Sequence, residues 1–290
     1  MTKDFATKQA SLQTGSSVRR LPRRRLLRQA AVAFGAAALA PFVVRPARAS
    51  GFIHVFYGGN GTVPVDSGLP RVGTIFGISP NGDLRWYRYG GQGENDLSGG
   101  LGWHANSGNP IGNGWHGFRQ VFVTPQEGRA STSRLTVYGI AQNGDLLWYS
   151  YGGNGEADRS GALGWHPNSG NPVGNGWQSF LHVNGIGGDI FGVHENGDLL
   201  WYSYSGNGEA DRSGSLGWHP NSGNPIGNGW QGFRHVFGGS DDTNGFHRVV
   251  YGVAQNGDLR WYGYDGNGEP DRSGALGWRA NSGNFVGNGW

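Results

Sequence analysis

The sequence predicts an all-β protein, specifically a four-bladed β-propeller with four-stranded antiparallel blades. Three observations lead to this prediction. A segment of 53 to 62 residues repeats four times, each repeat contains short apolar runs joined by Asn-Gly turns, and no helical apolar periodicity occurs over residues 50–290. Small sheets repeated around a ring cover both faces of each sheet and leave few free edges. A β-prism-like or open arrangement is the alternative.

Two short strings mark the repeats. Asn-Gly-Asp begins at Asn81, Asn143, Asn196 and Asn256, with gaps of 62, 53 and 60 residues. Gly-Asn-Gly-Trp recurs with the same three gaps. We therefore assign residues 50–290 to a single propeller domain of four units, which end at Trp115, Trp177, Trp230 and Trp290.

Each unit reads as a series of strands. In the fourth unit the apolar runs 233–237 and 249–253 are followed by Asn256-Gly257, a strong hairpin signal, and then by a third strand over 259–264. In the second unit the third strand places Trp148 and Tyr149 on opposite faces, and both faces are largely apolar, which predicts a sheet covered on both sides. A short fourth strand is expected near Gly-Asn-Gly-Trp. Trp148, Trp177 and their copies are expected in the core.

The first unit begins with an apolar run at 52–56 that matches the runs following three of the Gly-Asn-Gly-Trp strings. The fourth string ends at Trp290 with nothing after it. From this pattern we expect a circularly permuted array, in which the N-terminal strand completes the last blade and closes the ring.

Residues 1–49 are predicted to be an export signal. Arg23, Arg24 and Arg25 precede two leucines, an apolar run occupies 30–44, and Ala47-x-Ala49 fits a cleavage site. The arginines resemble a bacterial twin-arginine signal, which implies a periplasmic or extracellular protein beginning at Ser50. The apolar run is shorter than the roughly 20 residues of a membrane span, so no span is expected in the mature chain. An uncleaved anchor is the alternative.

The charge of the chain lies mainly in this leader. It holds ten of the 23 Lys and Arg and one of the 20 acidic residues, which leaves 13 Arg against 19 acids, a net charge of −6, in the remainder. A nucleic-acid partner is therefore not expected, because phosphate contacts need clustered basic residues. The absence of Cys excludes disulfides and Cys-based zinc sites.

From Trp230 onward the chain reads G-W-x-x-F-x-x-V-F, V-Y-G-V, N-G-D-L-x-W-Y and finally G-N-G-W. This succession resembles the tachylectin-2 family over essentially all of 51–290. The resemblance implies a propeller lectin that recognises GlcNAc or GalNAc between adjacent blades through the large loop of each repeat. Family members have five blades, whereas this chain has four units, and its loop at 152–174 and the copies of that loop are longer.

That long loop carries the candidate sugar-binding residues. Sugar recognition uses an aromatic face together with carboxylates, amides and other polar groups that bind hydroxyls. The aromatic candidates are Trp103, Trp165, Trp218 and Trp278. The polar candidates are Asp96, Asn106, Asp158, Arg159, His166, Asn168, Asp211, Arg212, His219, Asn221, Asp271, Arg272 and Asn281. The alternative is that the polar groups bond the loop to itself and the Trp rings pack between blades.

Other chemistry is less well supported. Asp265, Asn267, Glu269 and Asp271 alternate as in a calcium loop, but Pro270 replaces the glycine expected at position six. We therefore expect no metal and no cofactor. Near-identical units also disfavour catalysis, which needs one distinct arrangement of groups.

The sequence thus predicts a monomeric, multivalent lectin that is not an enzyme, with a glycan as its partner. A protein-interaction or envelope scaffold is the second hypothesis. A propeller hydrolase using unique acids such as Asp241 and Asp242 is the third. The sugar and its linkage are not determined by the sequence.

Overall fold

A computed structural model of the chain describes residues 51–61, 72–124, 135–241 and 247–290. The predicted export signal at 1–49 lies outside the described residues. So do most of the long loop at 123–134, Asp242 and the side chain of Asp241.

The described residues form sixteen strands in four antiparallel sheets, each of which follows the chain order as a simple meander. The first sheet contains β1 (His54–Gly61), β2 (Val72–Ile78), β3 (Leu84–Tyr89) and β4 (Pro110–Gly112). The second contains β5 (Gln120–Thr124), β6 (Leu135–Ile140), β7 (Leu146–Tyr151) and β8 (Asn171–Gly174). The third contains β9 (Phe180–Ile186), β10 (Asp189–His194), β11 (Leu199–Ser203) and β12 (Asn224–Gly227). The fourth contains β13 (Phe233–Asp241), β14 (His247–Ala254), β15 (Leu259–Tyr264) and β16 (Asn284–Gly287).

The predicted all-β, four-bladed propeller with four-stranded antiparallel blades is confirmed. Short 3-10 turns begin at Trp115, Trp177 and Trp230 and lead from one blade into the next. The predicted short fourth strand is present in every blade, at three or four residues.

The expected closure of the ring by the N-terminal strand is wrong. β1 pairs with β2 in the first sheet, and β13 to β16 form a complete sheet among themselves. The reason lies in the frame of the repeat. Each run that follows Gly-Asn-Gly-Trp begins its own unit, and antiparallel pairing with the next strand along the chain closes a shorter loop than pairing across the whole array.

The third strand of each blade is covered on both sides, as the apolar pattern predicts. In β7, Leu146 and Trp148 are buried on one face while Tyr149 on the other is partly buried. The strand is preceded by the Asn-Gly turn, where Gly144 adopts a φ of 83° that glycine accommodates without strain.

The hydrophobic core is divided among the boundaries between blades. We call these boundaries seam one, between the first and second blades, seam two, between the second and third, and seam three, between the third and fourth. At seam one Trp86, Ile111 and Trp115 of the first blade pack with Val121 and Tyr151 of the second. Seams two and three repeat this arrangement with their own buried clusters.

Candidate functional site: clefts at the seams between blades

The long loop of each blade folds back along the third strand. In the second blade Tyr151 forms an isolated bridge with Trp165, and the Gly152 N–H donates to the carbonyl of Gly164 at 2.8 Å. The other three blades form the same bridge. The loop is therefore held in a defined shape, with its tryptophan placed beside the third strand.

An aspartate fixes the tip of this loop. The Asp158 carboxylate accepts hydrogen bonds from the backbone N–H groups of Ser160, Ala162 and Leu163 at 2.7–2.8 Å. The Ser160 hydroxyl also donates to it, and together these bonds lower the pKa of Asp158 to about 2. Asp96, Asp211 and Asp271 hold the equivalent turns.

These aspartates give the protein an expected acid sensitivity. The pKa values of Asp158, Asp211 and Asp271 are lowered from 3.8 to about 2. A carboxylate whose pKa is lower in the folded state stabilises the fold above its ordinary pKa and loses that contribution as the pH falls through the folded value. We expect a nearly constant free energy of unfolding from neutral pH to about 5 and a decline from there toward pH 2.

Urea unfolding at several pH values measures this decline. The triple variant Asp158→Asn, Asp211→Asn, Asp271→Asn is the control, since it lacks the titrating groups and its decline should be shallower. If the free energy of unfolding declines equally steeply with falling pH in both proteins, these aspartates are not the cause of the acid sensitivity.

A second set of loop residues joins neighbouring blades by ion pairs. Arg159 Nη2 lies 2.7 Å from Asp83 Oδ2 across seam one. Burial alone would raise the pKa of Asp83, but hydrogen bonds from Asn113, Arg159 and Asn81 outweigh it and lower the pKa. The equivalent pairs are Arg212 with Asp145 and Arg272 with Asp198. The first unit carries Leu97 where the others have Arg.

The histidine and asparagine candidates also support the loop. His166 Nδ1 accepts the backbone N–H of Asn168 at 3.2 Å, and its ring lies edge-on to Trp148. Asn168 Nδ2 donates to the carbonyl of Asn207 in the next blade at 2.8 Å. His219 contacts the N–H of Asn221 in the same way, and Asn106 and Asn221 donate to the neighbouring blade like Asn168. Asn281 lies in the last loop, where Arg279 replaces the histidine and pairs with Asp265 at 2.9 Å.

The loop tryptophan lies at the seam itself. The indole N–H of Trp165 donates to the carbonyl of Ile111 in the preceding blade at 2.7 Å. Its ring stacks on Trp115 with centroids 5.8 Å apart. Trp218 and Trp278 make the same bonds to Val173 and Ile226, at 2.8 and 2.6 Å. Trp103 belongs to the first blade, and its indole N–H has no acceptor among the described residues.

Trp165 and Trp278 each form one wall of a cleft. At seam one the cleft has a volume of about 270 Å³, and at seam three about 410 Å³. The seam-one cleft is lined by Asn113, Trp115, Phe118, Tyr149, Ser160, Trp165 and Ser169. At seam three the corresponding groups are Asn228, Trp230, Phe233, Tyr262, Ser273, Trp278 and Ser282, with Arg260 in addition. Seam two carries the same aromatic contacts among Trp177, Phe180, Tyr202 and Trp218.

The tyrosine in this wall offers an unused hydrogen-bonding group. Burial raises the pKa of Tyr149 to about 12, so its hydroxyl stays protonated at physiological pH. Neither the Tyr149 hydroxyl nor its copy on Tyr202 has a hydrogen-bond partner within the described part of the chain. A ligand in the cleft would therefore meet a free O–H donor beside aromatic faces.

Of the residues expected to bind sugar, Trp165 and Trp278 line the clefts. Most of the aspartates, arginines, histidines and asparagines instead make bonds that shape the loops and seams. The further cleft residues at seam one are Trp115, Phe118, Tyr149, Ser160 and Ser169. One signal in the sequence points to Tyr149, which alternates with Trp148 along a strand and so lies on the other face.

No group of three or more His, Cys, Asp or Glu side chains suited to a metal ion occurs within residues 51–61, 72–124, 135–241 and 247–290. In the same ranges there is no helix with the length and hydropathy needed to cross a membrane.

No family model and no curated protein matches the chain. Among solved structures, the chain is similar to the crystal structure of a triple mutant of AofleA from Arthrobotrys oligospora, with 13% sequence identity and a TM-score of 0.36. The match covers 72% of this chain and 52% of that one. The chain thus spans about half the length of the protein it matches, and the propeller assignment is based on the sheets themselves.

Proposed function

We propose that this chain is an exported, multivalent carbohydrate-binding protein that holds N-acetylated hexosamines, such as GlcNAc or GalNAc, in its seam clefts without transforming them. The observation that carries the proposal is the cleft wall itself, which is lined by tryptophan, phenylalanine and tyrosine rings and includes Tyr149, whose hydroxyl has no hydrogen-bond partner among the described residues. Export is proposed from residues 1–49, and the N-acetylated class from the resemblance to the tachylectin-2 family.

The chemistry of the cleft suits a neutral sugar. One face of a pyranose presents C–H groups that pack on aromatic rings, and its edge presents hydroxyls. Beside the rings of Trp165 and Tyr149, the hydroxyls of Ser160 and Ser169 line the cleft at seam one. Volumes of about 270 and 410 Å³ lie near the small end of the range of small-molecule sites, about 300–1,000 Å³. This favours a ligand of one or two sugar rings.

The carboxylates around the cleft argue for binding without catalysis. A general acid working near neutral pH needs a raised pKa, whereas the pKa of Asp158 is about 2 and the pKa of Asp83 is lowered. Both carboxylates already accept several hydrogen bonds from the protein. They are therefore suited to holding the walls of the cleft in place.

Repetition adds multivalency. Seams one and three present similar clefts on one chain, and seam two carries the same aromatic contacts. Linked weak sites gain avidity on a surface that displays many sugars. A glycan-array screen followed by titration calorimetry on dilute protein tests this, with a stoichiometry above one as the expected result.

The decisive variant is Tyr149→Phe with Tyr202→Phe. The aromatic rings keep their packing, and the two hydroxyls that are removed make no hydrogen bond within the described residues. We therefore expect unchanged thermal stability. Loss of one hydrogen bond to the sugar, worth about 0.5–1.5 kcal/mol, should weaken binding at the altered seams by about twofold to twelvefold. Tyr251→Phe is the matched control, because it removes the hydroxyl from a partly buried tyrosine that lines neither of the two clefts.

If the double variant binds the sugar with unaltered affinity, the sugar does not bind in the seam clefts. The absence of binding to any glycan by folded protein would reject the lectin and favour the scaffold.

A further inference from the structure

The three seams are built from one repeated set of contacts. In each, the loop aspartate N–H of one blade donates to a carbonyl on the fourth strand of the preceding blade, as Asp158 does to Pro110 at 2.8 Å. The next carbonyl, that of Ile111, accepts the Trp165 indole. A loop glycine, Gly155, covers the Trp86 ring so closely that a Cβ would lie 2.1 Å from it. Each seam therefore has a loop half and a strand half.

Among the described residues, the loop half of the first blade has no strand half packed against it. We call this surface the head face, defined by Phe52, Val55, Gly93, Leu97 and Trp103. Val55 is 55% exposed, whereas its copies Val121, Val183 and Val236 are 3%, 0% and 7% exposed. A Cβ on Gly93 would have nothing within 4 Å. The head face is thus an unburied version of the surface that is buried at every seam.

The fourth blade carries the complementary strand half. We call this surface the tail face, defined by Asp258, Asn284, Phe285, Val286 and Trp290. Val286 is 53% exposed, while its copies Ile111, Val173 and Ile226 are 0–1% exposed. Trp290 is 60% exposed against 5% for Trp115, Trp177 and Trp230. Among the described residues, the blade-to-blade hydrogen bonds of the seams have no counterpart between the head face and the tail face.

We infer that the tail face of one copy of this chain binds the head face of a second copy, forming an intermolecular seam like the three within the chain. Both halves of an established interface are present on one chain and stay apart in its fold, so a second copy can join them without changing any existing contact. Contacts of this head-to-tail kind build closed rings or open filaments. This inference departs from the monomer expected from the sequence.

Two substitutions at matching places support a contact between copies. Leu97 replaces the arginine of the other loops and is fully exposed, and Phe285 replaces the proline of the other fourth strands and is 61% exposed. In a seam the residue before Leu97 would bond the carbonyl of Phe285, which brings these two apolar side chains together. Exposed apolar groups that cluster on a surface mark interaction sites. Without the arginine, this seam lacks the ion pair of the others, so its formation should depend little on salt.

The intermolecular seam would also complete a fourth cleft. The head face retains half of the lining, with Phe52 and Tyr87 in edge-to-face contact at 5.9 Å, close to the 6.1 Å of Phe118 and Tyr149. Asn288 and Trp290 supply the other half, in the positions of Asn113 and Trp115. This consequence rests on the proposed function, whereas the association itself does not.

Sedimentation velocity of the full chain over a range of concentrations tests the association. We expect a mass that rises above one chain with concentration and that resists added salt. Val286→Arg should return the protein to one chain, since it places a charge in the tail face. Leu276→Arg is the matched control on the same blade, because Leu276 is 55% exposed and its copies Leu163 and Leu216 stay exposed beside formed seams.

Mixing two blocked variants identifies the orientation. Val286→Arg lacks a working tail face and Val55→Arg lacks a working head face, so each alone should be a single chain and an equal mixture should form a dimer and stop there. A single-chain mass for the unaltered protein at all concentrations would overturn the inference. So would association that survives Val286→Arg. Neither result depends on sugar, so failure of this inference and failure of the lectin proposal are distinguishable.

Discussion

Gly208→Ala is expected to lower the free energy of unfolding by about 2–4 kcal/mol, because it places a methyl group in a tightly packed seam, at a backbone conformation that favours glycine. Gly208 has a φ of 72°, and a Cβ there would lie 2.0 Å from Cε3 of Trp148. The left-handed conformation costs a non-glycine residue about 1 kcal/mol. Displacing a packed tryptophan adds about 1–3 kcal/mol.

The first blade provides the control for this variant. Gly93 occupies the same place in its loop, with a φ of 81°, and a Cβ there would meet nothing within 4 Å. Gly93→Ala should therefore cost only the conformational part, about 1 kcal/mol. Urea unfolding in dilute protein measures both. Equal losses would mean that the loop of the third blade does not pack on Trp148 in solution.

The contrast between these glycines shows what the repeat pattern predicts and what it does not. The four units, their strands and the Asn-Gly turns follow from local spacing, and the four sheets confirm them. The sequence makes Gly93 and Gly208 look alike, since both precede a glutamate at the same point in the repeat. Their surroundings differ because the Gly208 loop packs on Trp148 of the preceding blade, whereas none of the described residues packs against Gly93. This difference is a property of the assembled array.

The candidate site shows the same difference between what the local sequence predicts and what only the assembled structure determines. Aromatic faces suit sugars, so residue type points to the loop tryptophans, of which Trp165 and Trp278 line the clefts. Residue type alone does not separate polar groups that bind a ligand from those that fix a loop. The Asp158 carboxylate accepts bonds from backbone N–H groups of its own turn. The Tyr149 hydroxyl has no partner among the described residues, although the sequence pattern around Tyr149 is that of a core strand. Such a distinction requires knowing where each polar atom finds its partner.

Asp145→Ala is expected to lower the free energy of unfolding by about 2–3 kcal/mol. Arg212→Leu, which removes the cation paired with Asp145, should lower it by at most about 1 kcal/mol. Asp145 is 4% exposed and accepts hydrogen bonds from Asn143, Asn175 and Arg212. Without the Asp145 carboxylate, these three donors from the turn and the seam lose their common acceptor. The Arg212 side chain is 63% exposed, so water solvates much of its charge, and two amide donors remain on the carboxylate.

A double-mutant cycle completes this test, with free energies from urea unfolding at neutral pH. Once Asp145 is absent, Arg212 has lost its partner, so the double variant should be no less stable than Asp145→Ala alone. Leucine is the informative replacement because the first unit carries Leu97 at this position. Additive losses would show that Arg212 stabilises the seam through other contacts. A larger loss for Arg212→Leu than for Asp145→Ala would contradict the buried carboxylate as the centre of the seam, and would shift that role to the arginine.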